Sequence, residues 1–269
     1  MTRYIKKAYL WLIFIFLYAP ILTLIVYSFN ESRSRGNWSG LSLRWYIELF
    51  QDRAIMSALG NTVLIAMVAS AVSAAAGTVA AIGIHRLKGW KKSLIMNITY
   101  LPVLNPDIVI GISMMLLFIA MSFPRGMLSL IIAHITFGLP YGVISVLPKL
   151  AQLDPQIFDA ALDLGATPKE AYIKVILPQI LPGVFTGFLL AFTMSVDDFV
   201  VSFFVTGNGV ANLAISIYSM SRRGINPKIN AVLTLLFVVV ALMMYLIQSR
   251  LRDSDDGQDP SLLTRGFEI

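Results

Sequence analysis

Three acids stand where acids are costly. Asp107, in LNPDIVIGIS, and the adjacent pair Asp197 and Asp198, in TMSVDDFVV, are each surrounded by apolar residues. A charge at membrane depth costs roughly 2.5–3.5 kcal/mol on insertion scales, so acids kept there tend to mark routes for protons, ions or substrates. No Lys or Arg lies in the same apolar spans, so the countercharge must be a partner subunit, a proton or a cationic solute. Carboxylates spaced along a path with aromatic walls suit ammonium groups carried on a flexible apolar stem. Adjacent helical residues diverge by about 100°, so Asp197 and Asp198 cannot both point squarely into one path. One of them then caps or bonds a neighbouring helix. The competing reading gives all three acids a structural duty, satisfying broken backbone near Pro106 and at a helix end.

Other chemistry is missing. The chain has no cysteine, which removes disulfides, thiol nucleophiles and cysteine-ligated metals. Its two histidines are His85, read as an interfacial residue, and His134, read as a packing residue satisfied inside a span. No Ser/His/Asp arrangement and no metal cluster is visible, so no catalytic or metal-binding residue is assigned. A Gly-x-x-x-x-Gly-Lys-Ser/Thr loop is also absent, so the chain cannot by itself cradle nucleotide phosphates. The net charge of +6 comes from bases placed beside apolar runs, which fits membrane topology rather than nucleic acid.

The elements that must hold these acids are membrane helices. Of 269 residues, 57% are hydrophobic and 13% charged, with a mean hydropathy of +0.75, the balance of a polytopic membrane protein. Six spans are expected, at 8–29, 59–84, 93–121, 127–147, 180–205 and 229–247. The first is read as uncleaved, with Pro20 kinking it. The third is expected to be broken by Pro102 and Pro106. Between the first two lies a turn-rich loop, then LSLRWYIELF, amphipathic at helical spacing. Its Trp45 and Tyr46 are assigned either to the outer aromatic belt or to ligand passage. Residues 210–223 read as an interfacial helix. The polar tail, 250–269, is expected to be disordered, leaving 1–249 as the membrane domain. Thirteen of the 21 Lys and Arg fall in segments that put both termini in the cytoplasm.

One stretch between spans is polar and unusually well punctuated: DPQIFDAALDLGATPKEAYIKVILP, residues 154–178. Asp154–Pro155 reads as an N-cap with proline at the first helical position. Gly165 follows Leu164 where a helix ends in a left-handed turn. Thr167, Pro168 and Glu170 restart a helix at capping-box spacing, and Pro178 is expected to stop it. Two stiff, self-capped helices joined by a glycine turn form a docking handle outside the bilayer.

The spacing in this loop carries a resemblance. Asp159-Ala160-Ala161, then Gly165, then Val175, Leu177 and Pro178 resemble the Glu-Ala-Ala, Gly, Ile-x-Leu-Pro motif of ABC importer permeases. Asp159 replaces Glu and Val175 replaces Ile. Further stretches, among them GLSLRWY, LNPDIVIGIS, AHITFGLP, SVDDFVVSFFVTG and GINPKINA, resemble the PotC-type permeases of spermidine/putrescine importers. The resemblance implies an all-α, six-helix membrane protein of the MetI-like, type I ABC importer fold. It implies a second, similar permease, two copies of an ATPase subunit that binds ATP-Mg, and an extracytoplasmic polyamine-binding protein. The implied place is the bacterial inner membrane. The chain is then a transport subunit rather than an enzyme, with Asp159, Ala160, Ala161, Gly165, Leu177 and Pro178 facing the ATPase. Asp107, Asp197, Asp198, Trp45 and Tyr46 are the candidates for the substrate pathway.

Alternatives remain open. A related permease for another small solute would share the loop, although three acids without a base argue against an anion. A proton-coupled carrier would use the acids as relays but leaves the capped loop unexplained. A membrane scaffold would need no buried acids.

Overall fold

The computed structural model describes residues 2–33, 37–207, 209–222 and 227–256, with side chains from Tyr4 to Leu242 within those ranges. Among the described residues the regular structure is helical, with one isolated antiparallel bridge between Asn30 and Leu41. The helices are α1 (Thr2–Ser28), α2 (Arg44–Gln51), α3 (Arg53–Arg86), α4 (Gly89–Leu104), α5 (Asp107–Ala120), α6 (Met127–Gln152), α7 (Ile157–Asp163) and α8 (Pro168–Glu170). A π-helical turn, Ala171–Ile176, then leads into α9 (Leu177–Asp197), followed by α10 (Val200–Val205), α11 (Leu213–Arg222) and α12 (Lys228–Asp256).

Four helical stretches are long and apolar enough to cross a bilayer: Tyr4–Ser28, Arg53–Arg86, Met127–Gln152 and Pro168–Asp197. A fifth is the pair α4 and α5, which is bent by 103° at its break. Lys228–Leu242, in α12, is a shorter apolar helix. They follow the order of the expected spans, with physical differences. The third is broken at Pro106 alone. Asn105 before it is extended (ψ 143°), as proline demands of its predecessor, whereas Pro102 lies inside α4. α1 runs through Pro20 and α6 through Pro140 and Pro148. The helix expected over 210–223 starts at Leu213; Arg223 lies outside the described residues. α12 runs on to Asp256, into the segment expected to be disordered; 257–269 lie outside the described residues.

The chain forms two compact units, residues 1–56 with 219–269, and residues 57–218. In the first, Asn30 is buried and organises the loop after α1. Its Nδ2 donates to the Asn37 carbonyl, and its Oδ1 accepts from the N–H groups of Ser32 and Ser39. The start of α12 is tied to α2 through Lys228, 3.7 Å from Glu48 and 3.4 Å from Asp52. The hydrogen bond from Arg44, aided by the charge of Lys228, holds the Glu48 carboxyl below the usual carboxylate range.

In the second unit α3, α6 and α9 meet through glycine. A Cβ on Gly77 would sit 2.8 Å from the Gly142 Cα, one on Gly187 would sit 2.9 Å from the same atom, and one on Gly142 would sit 2.7 Å from the Ser73 carbonyl. Three backbones therefore touch at one crossing, which small residues permit where lipid supplies no hydrophobic drive between helices. On one side of the crossing Ile84, Val146, Leu150, Ile176 and Ile180 make an apolar cluster. Another cluster joins Phe118 of α5, Ala133 of α6 and Val201 and Val205 of α10.

Candidate functional site

The three acids occupy two helix breaks. Asp107 is the first residue of α5, immediately after Pro106, and is exposed in the chain. Asp197 is the last residue of α9 and is likewise exposed. Neither carboxylate makes a hydrogen bond or ion pair among the described residues. The two breaks are neighbours. A Cβ on Gly111, one turn after Asp107, would lie 3.3 Å from the Val201 Cα, three residues after Asp198.

Asp198 is different, because α9 stops there and its backbone turns extended (ψ 118°). Its Oδ1 accepts from the Val201 N–H (3.0 Å) and its Oδ2 from the Ser202 N–H (2.7 Å). This is the duty of a helix cap, satisfying donors at the start of α10 that have no intrahelical partner. The carboxylate is only 7% exposed and lies 3.5 Å from Nε2 of His134. That histidine, 2% exposed, is hydrogen-bonded through Nδ1 to the Ser195 hydroxyl (2.6 Å) and through Nε2 to the Ser202 hydroxyl (3.1 Å). Asn212 Nδ2 completes the group by donating to Ser202 Oγ. Buried polar groups at this depth are costly unless partnered, and these partner one another. The network ties α6 and α9 to α10 and to the start of α11.

Tyr141 went unnoticed in the sequence. It stands on α6 between Pro140 and the crossing residue Gly142, half-buried, within electrostatic reach of Asp107. An aromatic beside a proline–glycine irregularity in an apolar span was the signal.

Trp45 and Tyr46 do not form the expected aromatic surface. Trp45 is 2% exposed, and its indole N–H donates to the Asn30 carbonyl (2.6 Å). The Tyr46 hydroxyl is hydrogen-bonded to Ser28 Oγ (2.7 Å). Both side chains are spent on docking α2 to the loop and to the end of α1. Trp45 is turned inward with Leu49, four residues on, which shares the buried face of the helix.

The polar loop follows its punctuation except at its start. Asp154 does not cap a helix with Pro155 as its first residue: its Oδ1 is spent on the Gln156 N–H in a turn through Pro155, and α7 begins at Ile157 with Gln156 at the N-cap. Gly165 has φ +89°, with its own N–H bonded to the Leu162 carbonyl and the next one to the Ala161 carbonyl. That is a left-handed helix stop, which a residue with a Cβ adopts only at a cost. The Thr167–Glu170 capping box is closed in both directions. Two further details depart from expectation. Ala161 is buried in the loop, so Asp159 and Ala160 are the exposed pair. Pro178 does not stop the helix. The π-helical turn over Ala171–Ile176 widens the backbone just before it, so the helix passes through Leu177 and Pro178 into α9.

That continuity joins the loop to an acid. α9 has 21 residues, about 31 Å at 1.5 Å per residue, with the loop at one end and Asp197 at the other. The loop is held to α3 as well. The Arg86 guanidinium lies 4.9 Å from the Phe158 ring centre and 5.1 Å from that of Tyr172, and the two rings are 4.9 Å apart. Beside this stack a cavity of about 270 Å3 separates the loop from the ends of α3 and α6. Leu164, 90% exposed at the tip before Gly165, is an apolar knob that the motif comparison passed over.

The family described as "Binding-protein-dependent transport system inner membrane component" matches residues 73–253. The putrescine transport system permease protein PotI of Escherichia coli K12 is 41% identical over 241 residues, 87% of this chain and 85% of that one. The spermidine/putrescine transport system permease protein PotC of the same strain is 35% identical over 255 residues, 95% and 97% of the two chains. In fold the chain is similar to one from a bacterial ABC transporter that imports alginate (TM-score 0.71, 15% identity, 94% of each chain). It is also similar to a chain of the MetNI methionine ABC transporter (TM-score 0.53, 20% identity, 74% of this chain and 95% of that one).

Proposed function

Since the chain belongs to the family of binding-protein-dependent transport system inner membrane components, and is a multi-pass transport subunit rather than an enzyme, we propose that it is a permease of an ATP-driven importer of polyamines. Putrescine and spermidine are the cargo named for its relatives PotI and PotC. The observation that carries the cargo assignment is the pair of carboxylates, Asp107 and Asp197, exposed at two adjoining helix breaks and without a hydrogen bond or ion pair among the described residues. A linear polycation can meet two separated carboxylates at once while its methylene stem passes apolar walls. Asp198 serves this site indirectly by fixing the start of α10.

The rest of the assembly is the one that the likeness to PotI and PotC implies. This chain has no phosphate-binding loop, so ATP-Mg belongs to a separate ATPase, two copies of which serve this permease and a second, similar one. An extracytoplasmic polyamine-binding protein delivers the cargo, and both termini lie in the cytoplasm. The ATPase meets the exposed side of the loop: Asp159, Ala160, Leu164 and the Gly165 turn, with Leu177 and Pro178 at the root of α9. When the ATPase subunits close, the capped loop moves as a stiff body. α9 carries that displacement along its length to Asp197, and Arg86 carries it to α3.

The test is uptake of labelled putrescine and spermidine in cells deprived of other polyamine importers. Expressing this chain with its partners should restore saturable uptake that excess lysine or glutamate does not compete away. Restored uptake of an amino acid, with none of either polyamine, would assign the chain to another solute.

A further inference from the structure

The outward side of α2 has no part in the proposed transport path. Leu43, at the N-cap of this short helix, and Ile47 and Phe50 within it, spaced i, i+4, i+7, form one stripe and are 60%, 57% and 58% exposed. The opposite side is fixed by the buried Trp45 and Leu49. Three exposed apolar residues in register on a helix whose other face is fully engaged need a covering.

The height of α2 is set at both ends. Tyr46 is hydrogen-bonded to Ser28, the last residue of α1, and its ring lies 5.3 Å from that of Phe29. Glu48 and Asp52 hold Lys228, the first residue of α12. An apolar helix finishes at Ser28 and another starts at Lys228, so α2 lies at the level where both leave the hydrocarbon. That level is the headgroup–acyl boundary, where a helix with one apolar stripe is seated roughly 5–10 Å deep. None of the membrane-length window of α1, whose end α2 is docked on, is buried by the rest of the chain. The stripe carries no hydrogen-bonding side chain. Two bases flank it: Arg44, laid over the Trp45 ring and paired with Glu48, and Arg53, exposed just beyond the helix.

We infer that α2 is an interfacial helix whose Leu43–Ile47–Phe50 stripe is seated in bilayer lipid on the side of the membrane where α1 ends and α12 begins. Lipid, not a protein, covers the stripe. The helix then acts as a strut that keeps the ends of α1 and α12 at one bilayer surface, so those ends can tilt but cannot slide along the membrane normal.

The absence of native cysteine makes the test direct. Single cysteines are placed by Ile47→Cys, Phe50→Cys and, as a loop control, Ser39→Cys. Each is labelled with an environment-sensitive fluorophore in the full chain within its assembled transporter, reconstituted into phosphatidylethanolamine/phosphatidylglycerol bilayers. At both stripe positions a lipid nitroxide near the headgroup should quench emission at least twofold more than at Ser39. Aqueous iodide should quench them at least twofold less. Saturating binding protein should change neither number.

Iodide quenching equal to that at Ser39, without lipid quenching, would place the stripe in water and overturn the inference. Quenching by neither agent would give the stripe to a second permease, and loss of lipid quenching when the binding protein is added would give it to that protein. Either result also overturns it. The inference rests only on the chain's lying in a membrane, so a failure to transport polyamine would leave this depth measurement intact.

Discussion

Replacing Asp198 by alanine and by asparagine separates a cap from a pathway residue. In Asp198→Ala, α10 loses two hydrogen bonds, from the N–H groups of Val201 at 3.0 Å and Ser202 at 2.7 Å. His134 loses the carboxylate 3.5 Å from its ring. Loss of a cap costs about 0.5–2 kcal/mol, and a hydrogen bond to a charged group is worth roughly 1.5–3 kcal/mol. The terms overlap, so a total of about 2–4 kcal/mol is expected, or on the order of 10 °C in melting temperature for a domain of this size. Asparagine caps a helix about as well as aspartate. Asp198→Asn keeps one acceptor for α10 and should cost only about 1 kcal/mol, with polyamine uptake within a few-fold of wild type. Asp107→Asn and Asp197→Asn remove carboxylates with no partner among the described residues, so stability should stay within about 0.5 kcal/mol. Uptake should fall roughly 10- to 100-fold, the equivalent of losing one charge-assisted contact. The assay pairs thermal unfolding of the purified complex, followed by size-exclusion chromatography, with initial-rate uptake of labelled spermidine. Wild-type stability together with abolished uptake in Asp198→Asn would refute the reasoning and return Asp198 to the pathway. Full uptake in both Asp107→Asn and Asp197→Asn would remove the other two.

Three further outcomes follow from the same geometry. Gly142→Ala drives a Cβ to within 2.7 Å of the Ser73 carbonyl at the three-helix crossing; a loss of about 1–3 kcal/mol should appear as a lower melting temperature of the complex. Gly165→Pro places a residue restricted to φ near −65° where the backbone holds +89°; stimulated ATPase activity and uptake should both be lost while the protein still inserts in the membrane. Arg86→Gln removes the cation stacked on Phe158 and Tyr172, worth about 0.5–1 kcal/mol per ring contact. Polyamine moved per ATP hydrolysed should fall, and Arg86→Lys should restore part of it.

Some of the local chemistry was legible because neighbours in sequence decide it, although the expected cap at Asp154–Pro155 and the break at Pro102 do not form. The Gly165 turn, the Thr167–Glu170 box and the break before Asp107 all depend on residues within a few positions, and all form. What was hidden depends on contacts made across the fold. Pro178 reads as a stop because its missing N–H is a local fact. The π-turn that lets α9 continue is a backbone adjustment with no residue signature of its own. Trp45 reads as a belt or ligand-passage residue, and only the fold shows that the Asn30 carbonyl, fifteen positions away, holds its indole. The 100° rule already assigned Asp197 and Asp198 different duties but could not say which took which. That choice is made by where α9 ends, which places Asp198 beside the N–H groups of α10 and leaves Asp197 open. His134 was read as a packing residue, and its tie to Asp198 spans 64 positions that no local pattern connects.

The central claim is that this chain moves polyamines only as part of an ATP-driven assembly. The direct measurement is uptake of labelled putrescine and spermidine into proteoliposomes holding the chain with its second permease, ATPase and binding protein. ATP is enclosed inside, and parallel vesicles hold the chain alone under an imposed proton gradient. The account predicts uptake in the complete assembly that stops when ATP is replaced by a non-hydrolysable analogue, and none in the vesicles with the chain alone. Polyamine entering the latter in response to the proton gradient would contradict it.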